Sequence, residues 1–272
     1  MTDIQGYLQN WSLSDPQPLA ETATSRVFTV MFEGAPAVLK LLTPLGARDE
    51  KNGALALQYF DGKGAVRLLR HDDRAHLLEY AEGGDLAAMV RRGQDAEAAG
   101  IIGDVLNALH AERRTPPPGE LTPLRRWFQS LFRQAGAEKP DSIYARAAAA
   151  AERLLARERE PRALHGDIHH ENIRQSKRGW LAIDPKGLCG ERSFDAANAL
   201  CNPQGMEALV QDEARLLRNA EIIAGKMGAD RARLLAFVFA YGALSASWCI
   251  EDGQDPAHAL AMARLAEPHA VV

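Results

Sequence analysis

Two short stretches constrain this chain more than the rest of it together: Leu164-His165-Gly166-Asp167-Ile168-His169-His170-Glu171-Asn172-Ile173, and Leu181-Ala182-Ile183-Asp184-Pro185. Asp167 and Asn172 stand five positions apart, and Asp184 lies twelve beyond Asn172, at the end of a short apolar run. A chain built this way has to bring a polar loop and the end of a neighbouring strand to one point. Moving a γ-phosphoryl group onto a hydroxyl takes a carboxylate that orients and deprotonates the acceptor. It also takes ligands for the Mg2+ ions that neutralise the phosphate oxygens. An Asp-x4-Asn loop followed by a strand ending in Asp supplies all three, so the pattern predicts a phosphoryl-transfer centre.

The remaining sequence divides into a β-rich beginning and a helical remainder. Leu19 to Phe32 ends in a β-branched and aromatic run, turns at Glu33-Gly34 and continues as Ala37–Leu42, a hairpin pattern. Asp49–Phe60 reads as a helix closed near Gly62, and two short strands follow at Ala65–Leu69 and His76–Tyr80. Ala81 to Asp85 breaks the pattern. Beyond it, helical periodicity runs through Leu86–Arg92, Ala96–Ala111, Thr122–Ala135, Asp141–Arg159, Gly205–Met227, Asp230–Ile250 and Pro256–Ala266. The expected organisation is an α+β chain with an N-terminal lobe over residues 1–80, a strap over 81–85 and a helical lobe over 86–272. Ligand sites favour the cleft between two such lobes.

Composition narrows the partners. A net charge of −4 with no basic run argues against nucleic-acid binding. The 3 cysteines are widely spaced and form no Cys-x-x-Cys pair, which argues against a disulfide framework or a structural zinc site and fits a reducing cytosol. No signal-peptide layout opens the chain, and no apolar run is read as reaching the roughly 18 residues of a membrane span. The expectation is a soluble cytoplasmic enzyme with no membrane or protein partner.

Lys40 in Val-Leu-Lys, the strap at Leu78–Gly84, the 165–172 loop and Ile183-Asp-Pro together resemble the kinase-like fold of the aminoglycoside phosphotransferases. Ile183 through Pro203, including Ser-Phe-Asp195-Ala-Ala-Asn198, and the late Ser-Ala-Ser-Trp248-Cys-Ile-Glu251-Asp252-Gly segment are similar to their streptomycin 6-phosphotransferase branch, the aminoglycoside/hydroxyurea resistance kinases. The resemblance implies a bilobal protein-kinase-like fold and ATP or GTP as phosphoryl donor, with Mg2+. It implies Asp167 as catalytic base, and Asn172 and Asp184 as metal ligands. Lys40 would hold the α- and β-phosphates, with Glu50 as its carboxylate partner and Asp49 as the rival. The backbone around Glu79 and Ala81 would pair with the adenine edge. The phosphate-covering loop corresponds to Thr22–Arg26, which has no glycine, so Thr24 or Ser25 would donate to phosphate. Gly166 stands where regulated protein kinases carry Arg, and Asp184-Pro185-Lys186 replaces Asp-Phe-Gly, which argues against control by phosphorylation and against a protein substrate. Asp195 would brace the catalytic loop.

Other residues admit two readings. His165, His169 and His170 invite a metal-hydrolase reading, but Glu171 follows the pair rather than standing within a His-Glu-x-x-His helix. His165 is read as a buried strut, His170 as loop support and His169 as facing the acceptor. Lys186 shares a strand face with Asp184 and can touch phosphate or acceptor, or stand in solvent. Glu251 and Asp252 can bind a cationic acceptor or simply end a helix at Gly253. Trp127 and Trp248 are read as core residues. The leading expectation is a small-molecule kinase acting on a streptomycin-type aminoglycoside. The rivals are the same chemistry on hydroxyurea or a metabolite alcohol, a catalytically silent nucleotide-binding module, and a metal-dependent hydrolase.

Overall fold

The computed structural model describes residues 4–49 and 51–271. It opens with helix α1 (Ile4–Asn10) and an antiparallel sheet of β1 (Leu13–Glu21), β2 (Ser25–Phe32), β3 (Ala35–Leu42), β4 (Leu68–His71) and β5 (Ala75–Glu79), in the order β1-β2-β3-β5-β4. The β2–β3 turn falls on Glu33 and Gly34, both at positive φ, as the tight hairpin requires. Leu13, Val30, Ala37, Leu39, Leu41, Ala75 and Leu77 form a small core, covered by Ile4, Tyr7, Leu8 and Trp11 of α1 and the turn after it. Sequence periodicity missed α1 and β1. The latter, Leu-Ser-Asp-Pro-Gln-Pro-Leu-Ala-Glu, is an exposed edge strand, the place in a sheet where prolines are tolerated.

Between β3 and β4 lie α2 (Gly46–Asp49) and α3 (Lys51–Phe60). The buried face of α3, with Ala56, Leu57 and Phe60, does not pack into the small core. It joins the large core built by the helices that follow. These are α4 (Leu86–Arg91), α5 (Asp95–Leu109), α6 (Leu124–Trp127), α7 (Gln129–Ala137) and α8 (Ile143–Ala156). After the catalytic segment come α9 (Asp195–Leu200), α10 (Glu207–Val210), α11 (Glu213–Met227), α12 (Arg231–Glu251) and α13 (Ala257–Ala266). The catalytic segment itself is framed by two small sheets. Strands β6 (Thr122–Pro123), β7 (Pro161–Leu164) and β10 (Leu188–Glu191) form one, ordered β6-β10-β7, while β8 (Ile173–Ser176) and β9 (Gly179–Ala182) form a hairpin.

Helix α12 corrects one expectation. By length and composition it is a helix that could cross a membrane, yet 72% of its apolar window is buried inside the fold. A helix that is apolar all round belongs in the middle of a core, and α12 packs against α7, α8, α9, α11 and α13. Its one deeply buried charge, Arg233, is matched by Glu191 at 2.5 and 2.6 Å and by the carbonyls of Leu154 and Arg157.

Candidate active site

The catalytic loop follows β7 and is held from beneath by one carboxylate. Asp195, the first residue of α9, accepts the backbone N–H groups of His165 (2.8 Å) and Gly166 (2.7 Å), and its Oδ2 also meets His110 Nε2 at 2.9 Å. Its expected role as brace is therefore met in geometry. His165 then joins the loop to the strand carrying Asp184. Its Nε2–H donates to the Ile183 carbonyl at 2.8 Å, which leaves Nδ1 to accept the Asp167 N–H at 3.2 Å. Both ring nitrogens are thus used on backbone, and burial lowers the ring pKa to about 4, so it stays neutral. His165 is the buried strut the sequence suggested. The Lys186 N–H closes the clasp on the His165 carbonyl at 2.7 Å.

This clasp explains the glycine before Asp167. Gly166 sits at φ +84°, and a Cβ there would fall 2.6 Å from Leu188 Cγ. No side chain, and so no regulatory arginine, fits. The loop after Asp184 is equally tight. A Cβ on Gly187 would lie 2.0 Å from the Asn52 carbonyl oxygen, and one on Gly53 would lie 2.3 Å from that of Pro185. The start of α3 is thus docked backbone to backbone on 185–187, and Asn52 Nδ2 adds a bond to Thr122 Oγ1 at 2.9 Å. Asp184 itself is held at φ +61°, a conformation worth of order 1–3 kcal/mol of strain that the clasp sustains.

The expected reacting groups converge. Lys40 on β3 reaches Asp184 Oδ1 at 2.5 Å, while Lys186 Nζ lies 3.8 Å from Asp167 Oδ2. Asn172 Nδ2 donates to the Asp167 carbonyl at 3.0 Å, and Asn198 Nδ2 to Asp167 Oδ1 at 2.9 Å. The two carboxylates are driven apart in acidity. Burial raises Asp167, reinforced by the Asp184 charge, against weaker pulls from His169, Lys186 and Asn198. Burial also pushes on Asp184, but there Lys40 and Lys186 outweigh it and the carboxyl lies below its ordinary value. One group is poised to take a proton, and the other stays charged.

The remaining candidates divide. Ser25 is buried and shares Thr22 Oγ1 (3.3 Å), and Thr24 Oγ1 also meets Thr22 Oγ1 (3.2 Å), so the glycine-free loop is shaped by its own hydroxyls. Glu79 accepts Arg178 at 2.8 and 2.6 Å, and Arg178 donates to the Gly62 carbonyl at 2.8 Å, so the Glu79 side chain rivets the lobes at the strap. The Ala81 carbonyl receives Arg174 Nε at 3.4 Å. His169 Nδ1 pairs with Glu171 at 2.8 Å, and His170 is buried in the loop, its pKa lowered to about 4 chiefly by that burial. Glu251 is taken by Ser130 Oγ (2.8 Å) and Arg133 (2.7 Å), and Asp252 is exposed just beyond α12. Glu50 lies outside the described residues. Trp127 and Trp248, read as core, are partly exposed and packed edge to face. Sequence reasoning gave no role to Asn198. Its signal was spacing: three residues after Asp195 on one helix, it presents its amide on the face that holds the loop.

A family model described as aminoglycoside/hydroxyurea antibiotic resistance kinase matches residues 10–253. The chain is 41% identical over 251 residues to streptomycin 3''-kinase of Klebsiella pneumoniae, an alignment covering 90% of this chain and 92% of that one. It is 31% identical over 258 residues to streptomycin 6-kinase of Streptomyces griseus, covering 90% and 81%. Among solved structures, a thermostable mutant of aminoglycoside phosphotransferase APH(4)-Ia in ternary complex with ADP and hygromycin B superposes with a TM-score of 0.63 over 99% of this chain and 98% of that one. At 12% identity this last likeness speaks to the kinase-like fold alone.

Proposed function

We propose, for a chain that belongs to the aminoglycoside/hydroxyurea antibiotic resistance kinase family, that it transfers the γ-phosphoryl group of ATP to a hydroxyl of a streptomycin-type aminoglycoside. That it is a small-molecule kinase follows from the family; the donor and the acceptor are our reading. The observation that carries it is the convergence of Asp167, Asn172, Asp184 and Lys40 on one point between sheet and helices.

Asp167, more basic than an ordinary carboxylate and aimed by Asn198, takes the acceptor proton as the hydroxyl attacks. Lys40 and Lys186, on either side of the carboxylates, offset phosphate charge. The Ala81 backbone at the strap pairs with the adenine edge, and Thr24 offers a hydroxyl to phosphate. The residues fit Mg2+: with Nδ2 turned to the Asp167 carbonyl, Asn172 Oδ1 has no protein hydrogen bond among the described residues, and the Asn172 carbonyl accepts the N–H of Ile183, the residue before Asp184. One carboxylate and one amide oxygen suit a cation that arrives with phosphate and keeps waters. When bound it would neutralise the phosphate oxygens. With α3 docked on 185–187, the arrangement needs no activating modification.

Turnover of a panel of acceptors, followed by mapping of the product, tests the reading. Streptomycin should be phosphorylated with ATP, and the greater identity to the 3''-kinase makes the 3''-hydroxyl the first position to map. Asp167→Ala should lower kcat by roughly 10²–10⁴-fold while leaving nucleotide binding intact. Turnover of hydroxyurea with none of streptomycin would move the acceptor to the other branch of the family name. Unchanged kcat in Asp167→Ala would remove the mechanism.

A further inference from the structure

From Arg233 to Leu244, helix α12 is buried on every side, up to its last two turns. There exposure begins at Ser245 and Trp248, on the stripe that starts at Tyr241 and ends at Asp252. Tyr241 marks where this stripe leads. It is 8% exposed, its hydroxyl makes no hydrogen bond among the described residues, and its ring packs edge to face at 6.0 Å on Phe194, the residue before the brace Asp195; burial, with the Asp167 charge adding to it, raises its pKa. The stripe therefore begins against the segment that leads into α9, the helix whose Asp195 and Asn198 hold the Asp167 loop.

From Tyr241 it continues as stacked rings. Tyr241 meets Trp248 edge to face at 6.2 Å, and Trp248 meets Trp127 edge to face at 5.4 Å. On the inner side Tyr241 leans on Phe194 at 6.0 Å, and Phe194 on Phe128 at 5.6 Å, so the partly exposed rings are backed by fixed ones. Beyond the tryptophans, α12 is tied to α7 by the bonds from Ser130 and Arg133 to Glu251, which stop the two helices from parting. Seven residues of helix separate Tyr241 from Trp248, about 10 Å at 1.5 Å per residue. That is the span of a molecule of two or more rings.

We infer that Tyr241, Ser245 and Trp248, with Trp127 opposite, form the wall against which the acceptor lies, and that Trp248 and Trp127 select acceptors carrying a guanidinium or ammonium group. The inference rests on the proposed kinase reading and names what that reading leaves open, the feature of the acceptor that is recognised. The chemistry is that of a cation over an indole face, worth about 0.5–2 kcal/mol depending on desolvation. The hydroxyls of Tyr241 and Ser245 serve the acceptor's own hydroxyls nearer to Asp167. A small neutral acceptor reaches Asp167 without touching the tryptophans.

The test is steady-state kinetics of wild type, Trp248→Ala and Trp248→Phe with streptomycin, which carries guanidinium groups, and with hydroxyurea, which is small and neutral. Trp248→Ala should raise the streptomycin KM roughly tenfold, since tenfold corresponds to about 1.4 kcal/mol. It should leave the KM for ATP and any hydroxyurea turnover within twofold, and Trp248→Phe should recover part of the loss. If wild type phosphorylates streptomycin and both variants keep its KM, the inference fails alone. If the KM for ATP rises in parallel, the tryptophan is merely structural and the inference fails. If wild type turns over no cationic acceptor, the acceptor reading and the inference fall together.

Discussion

The segment from Leu164 to Gly187, which carries Asp167, and the last turns of α12 are built on opposite plans. In the first, side chains hold backbone: Asp195 grips two loop amides, His165 spends both ring nitrogens on main chain, and glycines at 166 and 187 let chains touch. In the second, side chains face outward: Trp127, Ser245 and Trp248 keep part of their surface in solvent, and their neighbours Arg133 and Glu251 form an exposed pair. The first arrangement fixes atoms to one geometry and suits a reaction that is the same for every substrate. The second offers surface and is free to differ with the substrate. The difference can be broken from either end.

The largest effect is expected at Asp195. Its carboxylate serves three donors and is essentially buried. Replacing it by Ala leaves two buried loop N–H groups and His110 without their acceptor. Removing one partner of such a buried charged network costs about 3–5 kcal/mol, a large share of a stability margin of about 5–15 kcal/mol. Asp195→Ala should lower Tm by many degrees in thermal unfolding and abolish turnover. An equivalent Tm for the variant would show that the loop is held by other bonds.

This same contrast decides what could be read in the sequence. A geometry fixed by backbone bonds demands particular residues at particular spacings, so Asp167, Asn172, Asp184, His165 and the brace at Asp195 were legible as motif or resemblance. The wall was not. Trp127 and Trp248 stand 121 positions apart, and nothing local distinguishes a ring that ends a core from one that lies inside it. In the fold, the hairpin at Glu33-Gly34 and helices α4, α5, α8, α11, α12 and α13 were legible from turn chemistry and periodicity, while α9 was not read as a helix and the Gly205–Met227 pattern divided into α10 and α11. The helix pattern around Trp127, however, split into α6 and α7, and Asp141–Arg159 shortened to Ile143–Ala156, where Ser142 caps the first turn. The edge strand β1 was hidden because an edge needs neither apolar alternation nor a full set of donors. The large core's claim on α3 was hidden too, since a helix pattern does not say which sheet or helix will cover it.

A middle-sized effect is expected where rigidity has a cost. Asp167 is a carboxyl whose folded pKa lies above its ordinary value, mainly through burial. Below the ordinary carboxylate range it is protonated in folded and unfolded chains alike and costs nothing. As pH rises through the folded value, the native state must ionise it in a buried place and stability is lost. At neutral pH the proposed base therefore strains the fold it serves. Asp167→Asn, which keeps the shape and a partner for Asn198, should raise Tm at pH 7, and the gain should shrink toward zero as the pH is lowered to about 4. A variant less stable than wild type at pH 7 would mean that the bonds from Asn198 and Asn172 outweigh the burial.

The smallest effect is expected at Glu251, and it sharpens the comparison most. Sequence offered Glu251 as a contact for a cationic acceptor, yet its oxygens already receive Arg133 and Ser130, and those bonds hold its carboxyl below the usual range. The pair is exposed, with side-chain accessibilities of 62% and 41%, and exposed pairs contribute about 0–1 kcal/mol. Glu251→Gln keeps an oxygen for Arg133 and should shift Tm by no more than a degree or two. A carboxylate already compensated by an arginine has little charge left to offer a guanidinium, so the streptomycin KM should rise less in Glu251→Gln than in Trp248→Ala. The reverse order would make the acceptor's recognition a matter of charge pairing, with the tryptophans as mere packing. The order found would place selectivity either on the ring faces or on the carboxylate at their edge.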